Sequence, residues 1–234
     1  MLENKKLFLL DIDGTICKGN QLVEGSATFL KDIKANGGQF VFITNNATKS
    51  IDDYIRFFQV LGINTDYTNF LTASYVTIDY LKKNHAGELI YVLGTRSFIR
   101  ELKKNKIHVT SDCEDEGITC VVVSYDNQLT YEKLSDTCKL LSTKNVDYLA
   151  TNPDCGSICE MLAHAVKRMP YFIGKPQPEM VELALQRNHY RKEETLIVGD
   201  RLYTDILCGY HAGVETVLVL SGEATKEEAK AYEH

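Results

Sequence analysis

The chain has 234 residues, 44% of them hydrophobic and 25% charged, and its 26 Lys+Arg against 32 Asp+Glu give a formal net charge of −6. This is the balance of an ordinary globular protein. At about 150 residues per domain it makes one large domain or two modest ones, with a core that needs no disulfide or metal staple. The negative charge argues against a nucleic-acid or anionic-membrane surface, but leaves room for a small anionic substrate wherever positive charge is supplied locally.

Leu7–Leu10 is uniformly apolar and reads as a strand buried on both faces. Asp11 breaks the run too early for a secretory signal, and no run elsewhere reaches the roughly 20 apolar residues of a membrane span. A helix follows over Thr28–Ala35, with Phe29, Leu30 and Ile33 on one face and Asn36-Gly37-Gly38 as its stop. Gln39–Ile43 is the second strand. Ser50 is placed to cap a helix that turns Ile51, Tyr54, Ile55 and Phe58 inward and stops at Gly62.

The middle continues as strands Leu89–Leu93, Ile118–Ser124 and Val146–Ala150, with helices over Thr77–Lys83, Phe98–Lys104 and Tyr131–Leu141. All four prolines fall between Pro153 and Pro178, the most turn-rich stretch. The closing part reads as helix Glu179–Arg187, strand Thr195–Val198, helix Asp205–His211 stopped by Gly213, and strand Thr216–Leu220. The alternation predicts an α/β protein, a doubly wound parallel sheet covered by helices. Residues 1–71 and 174–234 form one core domain in this reading, and 72–173 a second α/β domain inserted into it.

The seven cysteines, Cys17, Cys113, Cys120, Cys138, Cys155, Cys159 and Cys208, are odd in number and scattered, which points to a reduced, cytoplasmic protein. Cys155 and Cys159 lack a second pair for zinc and read as small buried side chains. Gly94-Thr95 reads as an ordinary strand-to-helix turn, and Lys103-Lys104-Asn105-Lys106 as a solvated helix end.

Three apolar strands run into polar groups: Leu7–Leu10 into Asp11-Ile12-Asp13-Gly14-Thr15, Phe40–Ile43 into Thr44-Asn45-Asn46, and Leu196–Val198 into Gly199-Asp200, with Asp205 beyond. Ligands of open parallel sheets sit outside the carboxyl ends of the strands, so the three segments are expected to converge on one crevice. Asp11, Asp13, Asp200 and Asp205 would raise one another's pKa there unless a cation joins them. A hard divalent ion with oxygen ligands, Mg²⁺ first among them, answers that need. Asp53 or Asp205 taken alone reads better as a cap or turn residue. Asp11 does not, because a carboxylate ending a wholly apolar strand is expensive without a partner.

Asp11-Ile12-Asp13-Gly14-Thr15 resembles the DxDGT signature of the haloacid dehalogenase superfamily. Thr44, Lys175 in Gly174-Lys175-Pro176, and Gly199-Asp200 with Asp205 resemble its second, third and fourth motifs in order. Thr44-Asn45-Asn46, Thr151-Asn152-Pro153-Asp154 and Gly174-Lys175-Pro176-Gln177-Pro178 are similar to the class IIA branch, which has an α/β cap between the second and third motifs. The resemblance implies a Mg²⁺-dependent phosphatase acting on a small phosphorylated metabolite, such as a sugar phosphate or p-nitrophenyl phosphate. It makes Asp11 the nucleophile, Asp13 the acid and base, and Thr44, Lys175 and Asn45 the substrate contacts. The metal would rest on Asp11, the backbone carbonyl of Asp13 and Asp200, with Asp205 supporting its water shell. Caps of this class often serve as dimer surfaces, so the resemblance leaves a homodimer through the cap open.

One departure stands out. Class IIA members carry an extra loop after the segment matching Thr151–Asp154, whereas here Asp154 leads directly into Cys155-Gly156-Ser157. A signalling receiver phosphorylated on aspartate also uses an acidic pocket with a Thr and a Lys. Asp13 two residues after the nucleophile, together with the inserted domain, argues against it. A catalytically silent phosphate binder fits poorly with intact motifs, and a phosphotransferase or mutase is the remaining alternative.

Overall fold

A computed structural model describes residues 4–47 and 49–232. Strand β1 is Leu7–Leu10, followed by the two-residue strands β2 (Cys17–Lys18) and β3 (Gln21–Leu22), which pair as a small antiparallel ribbon. Helix α1 (Ser26–Ala35) buries Leu30 and Ile33 and ends at Asn36, with Gly37 in the left-handed region at φ 72°. Strand β4 (Gln39–Thr44), helix α2 (Ile51–Val60) and strand β5 (Phe70–Thr72) complete the first stretch.

The chain then passes through α3 (Ala73–Asn84), β6 (Leu89–Leu93), α4 (Arg96–Lys104), β7 (His108–Thr110), β8 (Ile118–Val123), α5 (Tyr131–Thr143), β9 (Asp147–Ala150), α6 (Gly156–Val166) and β10 (Tyr171–Phe172). It closes with α7 (Glu179–Asn188), β11 (Thr195–Gly199), α8 (Leu207–Ala212), β12 (Glu215–Leu218) and α9 (Lys226–Ala231).

Contacts divide the chain into two compact units. The first comprises Met1–Thr44, Ile51–Thr72 and Lys175–His234; the second comprises Asn45–Ser50 and Ala73–Gly174. The first holds a parallel sheet in the order β12-β11-β1-β4-β5. Its central strand is β1, every residue of which is buried, as expected for a run with no polar alternation. Beside β4 and β5, Phe42 stacks on Phe58 from α2 with centroids 4.3 Å apart, and Tyr54 stacks near Phe70. The second unit holds a separate parallel sheet in the order β10-β9-β8-β6-β7. Its core gathers Tyr91, Leu93, Val121, Val123, Leu140 and Leu162, and takes in Cys155 and Cys159 as small buried groups.

The register of the first sheet aligns the strand ends. Leu10 sits opposite Phe42 on one side and Val198 on the other, so the chain leaves β1 at Asp11 beside the ends of β4 and β11. The Asp11 amide continues the ladder by donating to the Val198 carbonyl at 2.9 Å.

One expected element is corrected. The helix expected over Asp205–His211 begins instead as a π-helical turn, Leu202–Ile206, and becomes α-helical only at Leu207. The Arg201 carbonyl accepts from both the Asp205 and Ile206 amides, at 3.0 and 3.2 Å, which widens the turn. Asp205 is therefore part of the wide turn, with its side chain buried, rather than the first residue of an α-helix.

Candidate active site

The site begins with Asp11 at the end of β1, 8% exposed, and Lys175, 2% exposed. Lys175 Nζ donates to Asp11 Oδ1 at 2.7 Å, to Asp205 Oδ1 at 2.5 Å and to the Ile43 carbonyl at 3.1 Å. Three donors thus meet three acceptors, which is the full capacity of an ammonium group. Asp205 is 1% exposed, and its second oxygen, Oδ2, accepts from the Arg201 amide at 3.1 Å.

Asp200, one residue past β11, is also buried. Its Oδ2 accepts from the Glu223 amide at 2.8 Å, while Oδ1 is buried with no hydrogen-bond partner among the described residues. Asp11, Asp200 and Asp205 each offer a carboxylate oxygen, and these atoms lie within 4.8 Å of one another.

Backbone approach this close demands glycine. Gly14 has φ 90°, and a Cβ there would lie 2.3 Å from Asp200 Oδ2; one on Gly199 would lie 2.2 Å from the Asp205 Cβ.

Electrostatics follow from burial. Desolvation lifts the Asp11 carboxyl to about 7; Lys175 pulls it down, and Asp205 and Asp200 push it up. Asp200 is raised as well, chiefly by burial. Burial alone would lower Lys175, but Asp11 and Asp205 outweigh it and hold the ammonium above its usual range. Of the three buried carboxylates, Asp11 and Asp205 share one lysine, and the third, Asp200, keeps an unsatisfied oxygen. That donor set fits a hard divalent cation with oxygen ligands.

The other expected residues take up distinct places. Thr44 is buried at the end of β4, next in sequence to the Ile43 carbonyl that holds Lys175. Asp13 is exposed in the loop after β1, where the Gly14 amide donates to the Cys17 carbonyl at 2.7 Å and closes the turn. Asn45 belongs to the second unit, buried beside Gly174, where a Cβ would come within 2.7 Å of its Oδ1. Asn152 is buried there too, its Oδ1 accepting from the Thr151 hydroxyl at 2.6 Å, whereas Asp154 is exposed.

The structure adds residues that strand-end reasoning does not find. Tyr54, buried on α2, has its phenol pushed above the usual range by burial and then by the Asp13 charge. Its only signal in sequence is an inward helical position. The segment Ser221–Ala224 closes on Asp200 from more than 20 residues away, and Ser221-Gly222 after an apolar strand is no more than a turn signal.

Two family profiles match the chain: "Haloacid dehalogenase-like hydrolase" over residues 8–108 and a related HAD-hydrolase profile over residues 172–234. The chain is 32% identical over 232 residues to the ribonucleotide monophosphatase NagD of Escherichia coli K12, covering 95% of this chain and 90% of that protein. Its structure is similar to a 4-nitrophenylphosphatase from Thermotoga maritima, with TM-score 0.93, 33% identity and coverage of 100% and 92%. It is also similar to a glycerol phosphate phosphatase from Mycobacterium tuberculosis in complex with magnesium, with TM-score 0.91, 25% identity and coverage of 99% and 73%. That enzyme is known with calcium bound as well.

Proposed function

The chain belongs to the haloacid dehalogenase-like hydrolases and is a phosphatase of that family, and from this we propose that it hydrolyses a small phosphate monoester, with Asp11 as nucleophile and Mg²⁺ as its cation. The observation that carries this reading is the cluster of Asp11, Asp200 and Asp205, in which Lys175 pairs with Asp11 and Asp205 while Asp200 Oδ1 is left unsatisfied.

Asp11, Asp200 and the Asp13 carbonyl would hold the cation, which when bound offsets the charge of the phosphate against that of the carboxylates. An Asp11 carboxylate oxygen attacks phosphorus, the bond from phosphorus to the ester oxygen breaks, and the departing alkoxide takes a proton from Asp13. The ionised Asp13 then takes a proton from water as its oxygen attacks the aspartyl phosphate. The bond from phosphorus to Asp11 breaks, and inorganic phosphate leaves. The Thr44 hydroxyl donates to the phosphoryl oxygens, Lys175 supplies positive charge, and Asn45 adds a substrate contact. Asp205 holds Lys175 in place through its 2.5 Å ion pair and would support the water around a bound cation.

The relatives' names support a small monoester: a ribonucleotide monophosphate, 4-nitrophenyl phosphate and glycerol phosphate each fit that class. The test is hydrolysis of a panel of such esters, with Mg²⁺ and with EDTA, by the parent and by Asp11→Asn. Asp11→Asn is expected to fall to background, and Asp13→Asn to lose on the order of 10²–10⁴ in rate. Undiminished turnover by Asp11→Asn, or in EDTA, would overturn the mechanism. A stable phospho-aspartate without turnover would point to a receiver instead.

A further inference from the structure

Asp200 belongs to the carboxylate cluster and keeps one oxygen, Oδ1, without a partner, while its other oxygen is occupied by a segment distant in the chain. The Glu223 amide donates to Asp200 Oδ2 at 2.8 Å, and the Ala224 amide donates to the Asp200 carbonyl at 3.1 Å. Ser221 Oγ donates to the Gly14 carbonyl at 2.6 Å, tying the same segment to the loop that follows Asp11. Gly222 lies so close that a Cβ would fall 1.9 Å from Asp200 Oδ2.

A backbone amide can orient a carboxylate only while its own peptide stays in place. Ser221–Ala224 lies outside any helix or strand, so regular structure does not hold it. The Glu223 side chain does. Arg201 Nε donates to Glu223 Oε2 at 2.9 Å, and the Tyr203 hydroxyl donates to Oε1 at 2.7 Å. Arg201 follows Asp200 directly, and Tyr203 sits in the wide turn that carries Asp205. One side chain therefore ties the segment to the stretch bearing two of the three clustered carboxylates.

We propose that Glu223 is a positioning residue for the divalent cation: Arg201 and Tyr203 clasp its carboxylate, its amide occupies Asp200 Oδ2, and Asp200 Oδ1 is left directed to the metal. The Glu223 side chain is 49% exposed, so as an ion pair it adds little to stability. Its effect is on ligand orientation, where loss of such an outer partner weakens metal binding by about 10–100-fold. The inference rests on the metal reading of the site, and the experiment separates the two.

Full-length protein stripped of metal is titrated with Mn²⁺, followed by the paramagnetic resonance signal of the free ion, for the parent, Glu223→Ala and Glu223→Gln. Glu223→Ala is expected to bind about tenfold more weakly. Glu223→Gln keeps the length and an acceptor for Tyr203, and should recover most of that loss. The thermal midpoint of both variants in EDTA should match the parent. Equal Mn²⁺ affinity in parent and Glu223→Ala overturns the positioning role. So does a loss that Gln does not restore and that tracks a fall in the metal-free midpoint. Failure of the parent itself to bind Mn²⁺ overturns the metal reading, and this inference with it.

Discussion

Lys175 and Asp11 lie 164 residues apart in the chain, yet their side chains meet at 2.7 Å in a space that is almost closed to solvent. Loss of Lys175 would leave Asp11 and Asp205 buried without their cation, whereas loss of the Asp11 charge leaves Lys175 paired with Asp205. The same burial sets the proton affinity of Asp11, lifted to about 7 before any cation is present. A carboxyl raised by desolvation is protonated below that pH, and a cation favours the ionised form, so metal and proton compete for it. Metal affinity is therefore expected to rise by up to about tenfold per pH unit below about pH 7 and to level off above it. Titrating the metal-stripped protein between pH 5.5 and 8 checks this, and a flat profile would contradict it.

At the scale of elements, most boundaries follow from local chemistry. Helix α4 starts at Arg96 because the Thr95 hydroxyl accepts from the Phe98 amide at 3.1 Å, which satisfies one of the helix's unbonded donors. Thr95→Ala should cost the second unit about 1 kcal/mol, read as a lower urea midpoint, while phosphatase activity persists in the folded protein. An unchanged midpoint would show that the cap contributes nothing. Such caps, the glycine stops and the apolar runs of β1, β4, β6, β8 and β11 are legible because each depends on neighbours within a few residues. Many of the elements not read from the sequence are short: β2, β3, β5, β7 and β10 have two or three residues each, too few for periodicity to register, whereas α6 (Gly156–Val166) and α9 (Lys226–Ala231) are helices not read from it either. The turn at Leu202–Ile206 is concealed for another reason. Its spacing reads as the start of a helix at Asp205, but the Asp205 carboxylate is drawn in by Lys175 and the Arg201 amide, and the backbone widens around it.

Across the whole molecule, the only cluster of three or more potential metal ligands among the described residues is Asp11, Asp200 and Asp205, and all three lie in the first unit. A cation that binds the folded cluster and not the unfolded chain stabilises that unit by mass action, by about 2.7 kcal/mol at a hundred times its dissociation constant. Mg²⁺ should therefore raise the calorimetric midpoint of the first unit, and EDTA should restore the lower value. The absence of any shift would argue that no cation binds there.

The net charge of −6 argued against polyanion-binding surfaces, and four acidic residues in the strand-end segments already called for a cation. The apolar runs and the polar residues that follow them were legible in the sequence, and with them the placing of Asp11, Thr44 and Asp200 at strand ends, because each depends on immediate neighbours and parallel pairing aligns those ends. How the charges are shared follows from the fold alone. Lys175 is bound between Asp11 and Asp205, Glu223 reaches back to Asp200, and one Asp200 oxygen stays unpaired. The physical reason is that burial and contacts across 20 to 160 residues set these partnerships, and no periodicity or spacing along the chain encodes which buried donor meets which acceptor.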